Sequence, residues 1–243
     1  MSLSDPRLAA VYDIDNPAGP DHDYFRSVAD EVDARDIIDL GCGTGLLTVT
    51  LTRPGRTVTG IDPDPAMLER AATRTGGDAV TWRLGTADQL HKGADLVIMS
   101  GNVAMHIIGE DWYRTLTFIA GSLTPGGILV FESRNPEAEA WAQWNEALSE
   151  RQTPVGLLRE SCSTDPPDPD GVVVMHCYNE FAETGDVVEG DLPLQFRSRE
   201  QIMADLQSAG LEPRAIYRNW RSDPFTGGPE QPLMVIRAHR RDE

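Results

Sequence analysis

The stretch "IIDLGCGTGLLT", residues 37–48, packs three glycines into five positions directly after an apolar run. A glycine-rich turn that leads from a strand into a helix brings a ligand against bare backbone and the amide groups of a helix start. The surrounding pattern agrees with that reading. From about residue 36 to 132, short β-branched or apolar runs alternate with amphipathic stretches, and turn residues stand at nearly every junction. This is the rhythm of a parallel sheet covered on both faces.

Strands are predicted over 36–40, 57–61, 79–83, 95–99 and 127–132, and helices over 44–52, 65–75 with Asp64 as N-cap, 111–123 and 136–148. Upstream, "DHDYFRSVADEV" has helical spacing, while "VYDIDNPAGP", with two prolines and a glycine, reads as irregular. Near the C-terminus, Ser198, Gln201 and Gly210 frame a helix, and "PRAIYRNW" and "PLMVIRAH" read as the two last strands. The expected fold is α/β: a doubly wound, mostly parallel seven-stranded sheet with helices on both faces, its last strand antiparallel. To it is added a small antiparallel β extension over 151–197, in which "GVVVMHCYNEFA" and "DVVEGDLPLQFRS" flank an "ETG" turn. Residues 1–35 form an N-terminal lid segment and helix, and 36–150 with 198–243 form the core.

Three ligand types compete for the glycine loop. A phosphate-binding P-loop needs GxxxxGK[ST], and residues 41–48 contain no lysine. The dinucleotide fingerprint needs a third glycine, where this chain has Leu46 or Thr48 depending on the frame. Asp39 precedes the first glycine by two residues, and a carboxylate facing the bound group there would repel a pyrophosphate and attract an ammonium or sulfonium. Asp62 lies roughly 20 residues beyond the loop, where an acidic side chain accepts the hydroxyls of a ribose. A ligand with a cationic amino-acid end and a ribose satisfies both: S-adenosylmethionine.

With these residues in view, the chain resembles the class I S-adenosylmethionine-dependent methyltransferases of small-molecule type. The resemblance rests on "DLGCGTG", "GIDPDPAML", "GTADQL", "DLVIMSGNVAMHI" and "LTPGGILVFES", in family order. It implies that Asp39, Gly41, Gly43 and Gly45 surround the methionine portion, with Cys42 a small residue fitted into the turn. It puts Asp62, followed by Pro63, on the ribose, Met67, Ala87 and Asp88 at the adenine, and Ser100 close to the sulfonium. Asn102 and His106 then fall nearer the acceptor.

Methyl transfer from a sulfonium is an in-line displacement that draws mainly on alignment and exclusion of water, and a base is needed only if the acceptor must lose a proton. Hence the catalytic set is not legible. His106 is the one candidate base, and Tyr12, Asn102, His106 and Arg134 are candidate substrate contacts. The extension either roofs the substrate pocket or forms the surface of a homodimer. In the roof case, His176, Tyr178 and Glu180 point one way, and Met175 and Cys177 the other.

The formal charge of −18, from 21 Lys and Arg against 39 Asp and Glu, speaks against nucleic acid and anionic membranes. No run approaches the roughly 20 apolar residues that span a bilayer, and the start of the chain lacks a secretory layout, so a cytoplasmic protein is expected. Three cysteines without a CxxC pair and five scattered histidines suggest neither a disulfide framework nor a metal site. A small-molecule substrate is the expected partner. Two alternatives stay open: a nicotinamide-dependent oxidoreductase, and a non-catalytic S-adenosylmethionine-binding module.

Overall fold

The computed structural model describes residues 4–241. Asp5 caps α1 (Pro6–Asp15), and α2 (Pro20–Glu31) leads into β1 (Asp36–Leu40). After the glycine loop come β2 (Thr57–Asp62), α3 (Pro65–Thr73), β3 (Thr81–Leu84), β4 (Ala94–Met99), a single turn α4 (Val103–His106), α5 (Gly109–Ser122) and β5 (Leu123–Arg134). Four more strands follow: β6 (Glu146–Thr153), β7 (Gly156–Thr164), β8 (Val172–Phe181) and β9 (Asp186–Gln195). The chain closes with α6 (Arg199–Ser208), β10 (Leu211–Tyr217) and β11 (Leu233–Arg240). No described helix is long and apolar enough to cross a membrane.

Seven strands form one sheet in the order β10-β11-β5-β4-β1-β2-β3, with β11 antiparallel to both of its neighbours and the other pairs parallel. The chain winds outward from β1 to β3, then returns to β4 and β5 on the other side. The order therefore reverses between β1 and β4, and a crevice opens at the carboxyl ends of those strands. Successive strand residues face opposite sides and both sides are buried, which is why the strands read as unbroken apolar runs. Ile38, Val97, Leu129 and Ile236 pack with Trp112, Leu116 and Ile202 on one face. Ile37, Leu96, Val130 and Val235 pack with Phe25 and Val28 of α2 on the other.

Three expectations need correction. The helix expected over 44–52 is only a 3-10 turn, Thr48–Leu51. The segment holds five β-branched residues, and the Thr50 and Thr52 hydroxyls bond back to the carbonyls of Leu47 and Val49 at 2.6 and 2.8 Å, competing with helical bonds. The helix expected over 136–148 is replaced by two 3-10 turns, Pro136–Ala138 and Ala140–Gln143, broken at Glu139 with φ +47°. Here packing overrides propensity: Trp141 and Trp144 both rest on Phe196, ring centroids 4.7 and 5.6 Å away. Finally, "VYDID" is the second half of α1, and only the residues between Asp15 and Pro20 are irregular.

The extension is a four-stranded antiparallel sheet, β6-β7-β8-β9, beginning at Glu146. Its first hairpin left no alternating apolar signal in the sequence. α1 bridges it to the core: Arg7 pairs with Asp186 at 2.8 Å and stacks over Phe181, and Asp15 meets Arg151 at 2.8 Å. From its other side, Asp13 accepts from Thr44 in the glycine loop and from Arg74 behind α3.

Where the extension rejoins the core, Ser198 and Gln201 form a complete capping box on α6. Ser198→Ala is expected to lower the unfolding free energy by about 1 kcal/mol in denaturant titration, with the urea m-value unchanged.

Candidate functional site

A cavity of about 930 Å³ occupies the crevice. That is near the top of the range for small-molecule sites, about 300–1,000 Å³. Its floor is the carboxyl edge of β1, β2 and β4, its walls are α1 and α5, and its roof is the inner face of β7, β8 and β9.

The corner between β1 and β2 is built by backbone bonds to one carboxylate. The amides of Gly41 and Cys42 both donate to the Ile61 carbonyl, at 2.7 and 3.0 Å, folding the loop across the end of β2. Asp62 then accepts from Gly43 N–H at 2.8 Å through Oδ2 and from Asp64 N–H at 2.9 Å through Oδ1. A carboxylate has about four acceptor positions, so each oxygen retains one for a hydroxyl. Burial raises the Asp62 pKa against the pull of those two amides.

The loop glycines have different jobs. At Gly43, φ is +53° and a Cβ would meet nothing nearer than the Tyr12 ring at 3.9 Å, so its backbone lies open to the cavity. At Gly45, φ is +73° and a Cβ would lie 2.6 Å from Trp82, so that glycine serves packing behind the loop.

Of the residues singled out in the sequence, Tyr12, Gly41, Gly43, Asp62, Pro63, Met67, Ala87, Asp88, Ser100 and His106 line the cavity. Gly45, Cys42 and Asp39 sit behind it. The expectation that Asp39 faces the bound group is corrected: it is fully buried, Oδ2 accepts from Thr48 at 2.7 Å, and Oδ1 has no partner. The reason is strand parity: Leu40 lines the cavity, and the side chain of Asp39, one residue earlier on β1, points to the opposite face. Its pKa is pushed up to about 7, first by burial and further by Asp62, against the Thr48 bond. Burial also raises the Cys42 thiol, which suits a packing residue rather than a nucleophile.

Asn102 and Arg134 lie outside the cavity lining and bind one another, with Arg134 Nε donating to Asn102 Oδ1 at 3.1 Å. Asn102 holds a left-handed conformation, φ +63°, and its amide donates to Glu132. That turn starts α4, which presents His106. Arg197 fixes the far end of α4 by donating to the carbonyls of Ala104 and Ile107, at 3.0 and 2.6 Å, while stacked on Trp112. His106 opens to the cavity, and desolvation lowers its pKa. Tyr12 is raised by burial, then by Asp62, Asp13 and Glu132. Asp88, exposed, is lowered by bonds from Gln89 and Thr86.

The sequence did not reveal the roof contributions, Leu158, Glu160, Cys162, Asn179 and Leu192. The alternation expected on β8 does hold. Cys177 faces the cavity, whereas His176 points out to Asp191 and Asp165 at 2.7 and 3.1 Å, and Tyr178 bonds Glu180 at 3.0 Å.

Glu132 is a second buried carboxyl: Oε2 has no partner, and burial pushes its pKa up to about 7 against the Asn102 amide. Glu132 and Asp39 both bind their protons more tightly folded than unfolded. Stability should therefore fall as pH rises from the ordinary carboxyl range through about 7 and level off above it. Glu132→Gln keeps the acceptor for Asn102 and cannot ionise. It is expected to be roughly 1–3 kcal/mol more stable than the parent at pH 8 and equal to it near pH 4.5, as read by chemical denaturation at both values.

Residues 37–127 match a family model described as a methyltransferase domain. Over 96 residues the chain is 38% identical to an uncharacterized methyltransferase of Mycobacterium tuberculosis, covering 38% of this chain and 47% of that protein. The chain thus spans about half the length of the curated relatives it matches. The CcbJ methyltransferase from Streptomyces caelestis superposes with a TM-score of 0.77 at 19% identity over the full length of both chains. CalS10, an amino pentose methyltransferase from Micromonospora echinaspora in its S-adenosylmethionine-bound structure, gives 0.66 at 22% identity, covering 95% of this chain and 96% of that one. At such identities the likeness is one of fold. The matched segment contains the glycine loop, Asp62 and β4, so the chain carries a region similar to a methyltransferase domain within a fold shared with methyltransferases of known structure.

Proposed function

We propose that the protein transfers a methyl group from S-adenosylmethionine to a small-molecule acceptor by in-line displacement. The observation that carries this reading is the Gly43–Asp62 corner, where open loop backbone and a fixed carboxylate meet at the cavity floor. When bound, S-adenosylmethionine supplies an electrophilic methyl on a positively charged sulfur.

In this reading Asp62 holds the ribose hydroxyls, beside Pro63. Gly41 and Gly43 flank the methionine portion. Met67, Ala87 and Asp88 take the adenine, and Ser100 lies near the sulfur. Asp39 braces the loop from behind, accepting from Thr48 at 2.7 Å. The sheet β6-β7-β8-β9 roofs the acceptor end and excludes water, and α1 straps it to the core. Its outward face carries ion pairs such as Arg159 with Glu150 and Glu180, at 2.6 and 2.9 Å, beside exposed Val187, a mixed surface that fits a solvent-facing roof. At the roof end Asp15 and Glu160 share Arg151, and Glu146 beside them favours an acceptor with a basic nitrogen. Such an acceptor must lose a proton before or during attack, and His106 can accept it.

Calorimetric titration with S-adenosylmethionine and with NAD separates this reading from an oxidoreductase: binding of the first alone is expected, and binding of NAD alone would overturn it. Asp62→Ala should weaken S-adenosylmethionine by at least about tenfold, since a lost contact to a charged group costs roughly 1.5–3 kcal/mol. Incubation of a metabolite extract with labelled methyl donor should put label into a low-molecular-mass amine. Incorporation solely into macromolecules would reject the small-molecule assignment.

A further inference from the structure

Among the roof strands, β7 and β8 set Cys162 directly opposite Cys177, and both side chains face the cavity. The same row continues to Glu146 on β6 and to Gly190 on β9, and the absent side chain at Gly190 leaves space beside Cys177. As register partners on one face, the two thiols lie side by side. Directly opposed residues of an antiparallel pair hold their Cα atoms about 4.5–5.5 Å apart. Disulfides span about 4.4–6.8 Å, so side-chain rotation alone can close the bond.

We propose that Cys162 and Cys177 form a redox modification site, at which a small-molecule disulfide entering the cavity is reduced to two thiols while the pair closes into a cross-strand disulfide. Cys162 Sγ loses its proton and attacks one sulfur of the small disulfide, expelling the other half as a thiolate and leaving a mixed disulfide on Cys162. Cys177 Sγ then loses its proton and attacks Cys162 Sγ. The Cys162–Cys177 bond forms, the mixed disulfide breaks, and the second thiolate leaves. The cysteine pair gives up two electrons and the reagent gains them, with the two released protons taken up by the two thiolates.

Cys162 is the attacking group because it is the less deeply buried of the two thiols, so burial raises it less. Cys177 is pushed up to about 12 by burial and by Cys162, so the pair reacts slowly until the first bond is made. The third thiol, Cys42, is buried behind the glycine loop and serves as an internal standard. The link would form at the acceptor end, across the cavity from Asp62, so oxidation should reshape the roof and spare the corner at the floor.

The test exposes the full-length protein to glutathione disulfide, alkylates it under denaturing conditions and maps the digest by mass. Two of the three thiols should be lost, a peptide joining 162 to 177 should appear, and dithiothreitol should reverse both changes. Cys177→Ser should stop at a glutathione mixed disulfide on Cys162, and Cys162→Ser should react at least tenfold more slowly. Retention of three alkylatable thiols would overturn the proposal, as would separate glutathione adducts on both cysteines. Because the readout is a thiol count, it stands or falls independently of which cofactor the cavity holds. A circular dichroism spectrum of each serine variant matching that of the parent keeps the comparison from resting on misfolded protein.

Discussion

The acceptance of the Gly43 amide by Asp62 is the contact on which the rest of the cavity depends. It joins the first two strands of the winding sheet at the point where the chain turns across their carboxyl ends, and it is supported by two further amides donating to Ile61. A loop held by its backbone needs no side chains of its own, which is what allows Gly43 to leave a cavity wall made of peptide. The same carboxylate is thereby immobilised with acceptor positions to spare. In the proposed reading, structural and ligand-binding duties coincide in Asp62, because a buried carboxylate must find donors.

Around that corner the protein concentrates negative potential and leaves it incompletely neutralised. Asp39 and Glu132 are both fully desolvated, each with one unpartnered oxygen, and both are driven toward the neutral form. Such groups cost stability, and they persist where the surrounding fold is strong enough to hold them. Here the sheet supplies that strength through Ile37, Ile38, Leu96, Val97 and their neighbours on both faces. The carboxylates that line the cavity at the end of β2 are Asp62 and Asp64, while Asp39 and Glu132 stay behind it.

The second sheet covers one side of the crevice. α1 is pinned on one side by Thr44 and Arg74 and on the other by Asp186 and Arg151, so strap, loop and roof are mechanically linked. Surface ion pairs of this kind contribute little individually. Their placement matters more than their energy, because they set where the roof strands sit over His106 and Ser100. The roof in turn brings together residues far apart in the chain, the Cys162–Cys177 pair among them.

The winding sheet, the glycine loop, Asp62 and the capped helices α3 and α6 were legible in the sequence because each is a local pattern: apolar runs with a strand period, an N-cap, a capping box, a fixed spacing from loop to acid. What failed locally failed for tertiary reasons. Tryptophans packing on Phe196 dissolved the helix expected over 136–148, and β-branched threonines bonding their own carbonyls shortened the one expected over 44–52. The sequence by itself determined the floor of the site, since each part of that floor is a local motif at a strand end. Only the tertiary structure decided that Asp39 is buried behind the loop, that Asn102 and Arg134 bind each other, and that two cysteines fifteen residues apart share a roof. Strand parity and cross-strand register fix those relations, and neither is defined until the sheets are paired.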